Sequence, residues 1–194
     1  MNVWQELKRN CCCCFIGPAL NEMTFHNNES MPKLDWIKSA LSKQTELLYK
    51  QYGVRLFWIG GSLGVDIWAA EAIIKLKTVF SDLNLGIALP FPNYQEHWSE
   101  RTYKRMKGIF DQADIIVTAS PNIVHDQNRL MPLLYKKRNY FMVDQCKHMI
   151  AVGQWANEGK NQSGVLRTIH YAEKEGLQIV FVDLDSNASC AMRH

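Results

Sequence analysis

One stretch constrains the fold more than any other: Arg55-Leu56-Phe57-Trp58-Ile59-Gly60-Gly61-Ser62-Leu63-Gly64-Val65-Asp66-Ile67-Trp68-Ala69-Ala70-Glu71. Leu56 to Ile59 carries no charge, as a strand covered on both faces requires. Gly60, Gly61 and Gly64 allow a tight turn and leave no Cβ between the backbone and a ligand. From Val65 to Lys77 apolar residues recur at helical spacing, so the first turn of that helix aims free N–H groups back at the glycines. A strand, a glycine turn and a helix in this order make a site for phosphate or another anion, and they also occur for packing alone.

The rest of the chain repeats the alternation. Asn10 to Ile16 reads as a first strand ending at Gly17-Pro18, with a polar loop from Ala19 to Ser30. Pro32 opens a helix whose stripe of Leu34, Ile37, Leu41, Leu47 and Leu48 runs to about Tyr52, and Gly53 ends it. After the central strand and helix, Asn84 to Leu89 is a third strand closed by Pro90-Phe91-Pro92. A helix from Glu100 to Gln112, a strand from Asp114 to Ala119 and a helix from Pro132 to Gln145 follow. His148 to Val152 is strand five, Ser163 to Lys174 the last helix, Gln178 to Val182 strand six, and a frayed tail remains. Strand and helix alternate throughout, with no linker and no internal repeat. The expectation is an α/β chain with a mainly parallel sheet of about six strands, one domain over residues 1–194 with its core at about 10–183. The long polar connections after strands one, three, four and five fall on the carboxyl edge, where such sheets bind ligands.

Composition narrows the class. Hydrophobic residues make up 47% of the 194 and charged residues 21%, ample for a core without disulfide or metal support. A net charge of +3 gives no argument for nucleic acid. Cys11 to Cys14 are consecutive, so in a strand they point alternately to opposite faces and make neither a metal cage nor a disulfide ladder. They read as small buried apolar side chains in a reducing compartment, and with no signal peptide or membrane span the expected location is cytoplasmic.

Candidate site residues gather on the carboxyl edge. Asp66, at the helix start beside the glycines, is either an acid complementing the helix dipole or a carboxylate that grips ribose hydroxyls. Glu71 lies five residues further on. Arg138 pairs a phosphate with two parallel hydrogen bonds while Asn139 reads a base or sugar edge; alternatively Arg138 extends the solvated run of Lys136 and Lys137. Ser163-Gly164 opens the last helix and offers a second anion site. Phe91, Tyr94 and Trp98 either stack on a base or cover the core. The histidines show no metal spacing, and no nucleophile pairing is legible, so no catalytic residue is assigned.

The segment Gly60-Gly61-Ser62-Leu63-Gly64-Val65-Asp66-Ile67-Trp68-Ala69-Ala70-Glu71 closely resembles the glycine motif of the YpsA-like proteins of the SLOG superfamily. Pro90-Phe91, Arg138-Asn139-Tyr140-Phe141-Met142-Val143-Asp144 and the Ser163-Gly164 helix start fall in that family's order, and the resemblance runs from about Cys13 to Asp183. It implies a Rossmann-like fold with helices on both faces and a small-molecule ligand derived from a nucleotide, of the NAD or ADP-ribose class. It implies contacts at Gly17, Gly60, Gly61, Ser62, Gly64, Asp66, Glu71, Pro90, Phe91, Arg138, Asn139, Ser163 and Gly164. The superfamily includes the LOG phosphoribohydrolases, the DNA-processing protein DprA and antiphage sensor domains, and its members often dimerise, so a homo-oligomer is compatible.

Three departures shape the functional expectation. The family's first strand commonly ends Thr-Gly-His-Arg-Pro, where this chain has Ile16-Gly17-Pro18-Ala19-Leu20. Its last helix usually opens Gly-Gly-Thr, where this chain has Ser163-Gly164-Val165. The LOG enzymes pair an arginine, matched by Arg138, with a glutamate near the last helix start, where this chain has Arg167 and Thr168. Without that carboxylate no group stabilises an oxocarbenium-like centre or activates water. The expectation is a binder with a sensing or sequestering role. The alternative is an N-glycosidase using Glu71 or Asp66, and a DprA-like DNA binder ranks below both.

Overall fold

The structure is a computed structural model, and it describes residues 8–19, 32–122, 127–153, 164–184 and 192–193. Strands β1 (Cys12–Ile16), β2 (Leu56–Ile59), β3 (Asn84–Leu89), β4 (Ile115–Thr118), β5 (His148–Gly153), β6 (Gln178–Asp183) and β7 (Met192–Arg193) form one sheet in the order β4-β3-β2-β1-β5-β6-β7. The first six run parallel, and β7 pairs antiparallel with β6 at Ile179 and Val180. The helices between them are α1 (Pro32–Tyr52), α2 (Val65–Lys77), α3 (Glu100–Phe110), α4 (Gln127–Asp144) and α5 (Gly164–Lys174).

Both faces of the sheet's centre are covered, as β1 shows, while the edge strand β4 leaves Ile115 and Ile116 exposed. Cys13 and Phe15 pack with Leu34, Ile37, Leu41 and Leu48 of α1, Ile67, Trp68 and Ile73 of α2 and Met106 and Ile109 of α3. Cys12, Cys14 and Ile16 face the opposite way, toward Met142 and Val143 of α4 and Ile169 and Ala172 of α5. The alternation along the strand thus distributes Cys12 to Cys14 between two cores, as expected, whereas Cys11 is exposed in the turn before β1 and departs from the buried reading; Cys11 to Cys14 and Cys146 are free thiols. Burial pushes the Cys12 thiol up to about 11, so it stays protonated and packs as a small apolar group.

The structure moves several boundaries. Residues 8–10 are helical, and β1 starts at Cys12. Helix α4 begins at Gln127, with Pro132 inside it. A proline this close to a helix start removes one hydrogen bond, to the Asn128 carbonyl, and fixes a φ the helix already needs, so the helix extends upstream of it. The expected frayed tail is corrected at Met192–Arg193, where the chain returns as β7.

At the amino edge, His148 is 5% exposed, its ring edge-on to Tyr52 at 5.4 Å between centroids, and its Nδ1 has no hydrogen-bond partner. Burial, aided by Lys147, holds its pKa below the ordinary 6.5, with a hydrogen bond to the Asn10 backbone opposing. The unfolded chain therefore takes up the proton first, so this contribution to stability is complete above pH 6.5 and lost as pH falls through the lower folded value. Urea unfolding between about pH 7.5 and about pH 5 should show that slope, and His148→Met should flatten it.

Candidate functional site

The strand order places the crevice. The chain steps from β1 through β2 and β3 to β4 on one side, then returns to lay β5 on the other side of β1. Ligands in open α/β sheets bind where the order reverses, outside the carboxyl ends of the strands flanking the reversal. Here those are β1 and β5, followed by Gly17 and by the segment leading to Gly164. The turn after β2 borders the same place, because Ala19 forms an antiparallel bridge with Gly64.

A chain of hydrogen bonds links these turns. Arg138, 6% exposed, donates from Nη1 to the Gly60 carbonyl and, at 3.5 Å, to Ser62 Oγ. Its Nε donates to Asn139 Oδ1 at 2.8 Å, Asn139 Nδ2 donates to Thr168 Oγ1 at 3.1 Å, and Thr168 Oγ1 donates to the Gly164 carbonyl at 2.7 Å. The relay runs from the glycine turn after β2 to the first residue of α5. Nη2 of Arg138 has no hydrogen-bond partner among the described residues. Its guanidinium carbon lies 5.6 Å from the Tyr135 ring centroid, so an aromatic face supports the buried cation.

This burial overturns the reading of Arg138 as one of three solvated charges. Lys136 and Lys137 are exposed, while the next two residues point inward, as helix phase dictates. Asp144 does not orient Arg138; it accepts a 2.8 Å hydrogen bond from the Tyr171 hydroxyl.

The glycines prove to be specific in a way the sequence does not reveal. A Cβ on Gly60 would meet the Arg138 guanidinium, and one on Gly17 would lie 2.5 Å from Val65 Cγ2. Gly61 and Gly64 have φ of 71° and 103°, a region that side chains disfavour. Close approach to neighbouring side chains and turn geometry thus account for these four glycines without any ligand. Gly164 differs, since among the described residues nothing lies within 4 Å of a Cβ there.

Asp66 is half-buried at the start of α2, and its Oδ2 accepts from the Ser62 backbone N–H at 2.9 Å. Burial raises its pKa above the usual carboxylate value, opposed by Arg138, the Ser62 and Gly60 backbones and the Ser62 hydroxyl. Glu71 lies elsewhere. Five residues is about 500° of helix rotation, which turns it roughly 140° away from Asp66. It receives Arg105 Nε at 2.7 Å and Nη2 at 3.0 Å, joining α2 to α3.

Pro90 is buried and Phe91 is fully buried, so neither offers a face to a base. Phe91 meets Tyr94 edge-on at 5.4 Å, and Tyr94 in turn meets Trp98 at 5.5 Å and Tyr135 at 6.0 Å. These aromatics cover the core and back the Arg138 seat, which is the bland alternative of the sequence reading. Ser163 lies outside the described residues.

Sequence reasoning gave no site role to Thr168. Its signal is a hydroxyl one helical turn after Gly164, and its significance needs Asn139 alongside. Thr168→Val keeps the shape but leaves Asn139 Nδ2 unpaired in a buried place, so it should cost about 1 kcal/mol, with Thr168→Ser restoring the loss. Chemical denaturation of the two variants checks this.

Fold and crevice together define a Rossmann-like α/β protein whose polar centre lies at the sheet's switch point. The chain belongs to the YspA SLOG family: the model for that family (YpsA) matches residues 13–187. It is similar to a UPF0398 protein of Enterococcus faecalis, 27% identical over 154 residues that cover 79% of this chain and 82% of that one. It is similar too to the UPF0398 protein YpsA of Bacillus subtilis, 26% identical over 152 residues, 78% of this chain and 81% of that one. A UPF0398 protein of Brevibacillus brevis is 38% identical over 91 residues, 46% of this chain and 47% of the relative.

Proposed function

We propose that this chain binds a nucleotide-derived small molecule of the NAD or ADP-ribose class in the crevice outside β1 and β5, in a sensing or sequestering role. The observation that carries this reading is Arg138: a guanidinium 6% exposed, pinned by Gly60 and Asn139 at the switch point, with Nη2 unengaged among the described residues. Asp66 is the carboxylate that the guanidinium already acts on, and Nη2, which makes no hydrogen bond to a described residue, is left to donate to a phosphate oxygen. Gly164, open at the start of α5, gives a diphosphate a second contact through helix N–H groups.

Binding without turnover is the favoured form. Arg167 is exposed and Thr168 is committed to the relay, so the position where LOG enzymes carry a glutamate has no carboxylate. Glu71 is engaged with Arg105, leaving Asp66 as the nearby acid. Among the described residues no helix is long and apolar enough to cross a membrane. The free cysteines suit the reducing cytoplasm.

A thermal-shift screen over AMP, NAD, ADP-ribose and its cyclic forms tests the reading. At least one should raise the melting temperature in a concentration-dependent way, because a ligand that binds only the folded state stabilises it by mass action. Chromatography of the same mixtures after hours should return every compound intact. No shift with any of them contradicts the binding reading, and release of free base contradicts its non-catalytic form.

A further inference from the structure

The glycine turn already contains an anion. Ser62 N–H donates to Asp66 Oδ2 at 2.9 Å, and the Gly60 backbone and Ser62 hydroxyl help to hold down the pKa that burial raises. The donors that a glycine turn and helix start would present to a phosphate are thus turned toward the protein's own Asp66. Behind them, Arg138 Nη1 takes the Gly60 carbonyl and reaches Ser62 Oγ at 3.5 Å. A phosphate entering here would meet a carboxylate of like charge and would have to expel it from its donors.

We infer that Asp66 makes this turn a sugar-recognition site, in which the carboxylate accepts hydroxyl groups of a ribose while the ligand's phosphate lies on the Arg138 and Gly164 side. This rests on the nucleotide-binding reading proposed above. A carboxylate offers about four lone-pair positions, and the Ser62 N–H takes one of them, which leaves room for a ligand hydroxyl. Asp66 is only half-buried, so it remains within reach. Donor and acceptor then divide along the crevice: an acid on the β2 side, a guanidinium with a spare nitrogen between, and an open helix start on the β5 side. A ribose phosphate presents the matching order of hydroxyls and anion.

Titration calorimetry with ADP-ribose, analogues lacking one hydroxyl on either sugar, and inorganic pyrophosphate tests this on the wild type and on Asp66→Asn. The wild type should bind one deoxy analogue about ten- to a hundredfold more weakly than ADP-ribose, because its buried acceptor is left unpaired. Asp66→Asn, confirmed as folded by circular dichroism, should weaken ADP-ribose and narrow the gap between the two. If the wild type binds ADP-ribose and every deoxy analogue equally, the sugar assignment is overturned while nucleotide binding stands. Tighter pyrophosphate binding by Asp66→Asn, without preference for a hydroxyl, overturns it in favour of a phosphate turn that Asp66 blocks. No binding of any nucleotide by the wild type removes the underlying function and this inference with it.

Discussion

Arg138→Lys should weaken a phosphate-bearing nucleotide about ten- to a hundredfold, the effect of losing one hydrogen bond between charged groups. Lysine keeps the charge but is a single point donor on a flexible stem. It cannot hold Gly60 and Asn139 at once while leaving a second nitrogen for the ligand. The neighbouring Lys137→Ala is the control, since Lys137 is exposed and outside the relay. Calorimetric titration of both variants, each first shown to be folded, checks the pair. Equal affinity in Arg138→Lys and wild type would remove the guanidinium from the site.

The second large effect is on stability. Gly60→Ala puts a methyl where the Arg138 guanidinium lies, just after the buried run Phe57 to Ile59 of β2. The arginine must leave the Gly60 carbonyl, and its charge then loses a buried partner. Overpacking and the lost charge-assisted bond together should cost about 3 kcal/mol. Gly164→Ala is the informative contrast. A Cβ there meets nothing within 4 Å among the described residues, so the fold should tolerate it. A drop in ligand affinity without a drop in stability would then report close approach of the ligand at α5. Urea denaturation with parallel titrations separates the two glycines.

These effects also mark how far the sequence could be read. The six parallel strands and their helices were legible because short uncharged runs alternate with helical spacing, and the errors concern ends. Pro132 reads as a boundary because proline is such a strong stop signal, yet the helix runs through it from Gln127, losing one hydrogen bond there. The glycine turn was legible as a turn, but the reason for Gly60 was not. That reason is a side chain 78 positions away, which no local pattern encodes. Arg138 was ambiguous for a similar reason: Lys136-Lys137-Arg138 looks uniformly basic, and only helix phase against a known core separates the third residue from the first two. Glu71 was grouped with Asp66 by nearness in sequence, although rotation about α2 sends it to Arg105. Thr168 was noted for the glutamate it replaces. Its role depends on Asn139, which reaches it from another helix.

Amide chemical-shift mapping of the isotope-labelled protein with ADP-ribose is the decisive test of binding at the switch point, because it reports where a ligand sits as well as whether it binds. Saturable shifts should cluster at Gly17, Gly60 to Ser62, Asp66, Asn139 and Gly164, with the Arg138 side-chain Nε–H among them. Saturable shifts confined to the amino edge of the sheet, around His148 and Gln178, would contradict it.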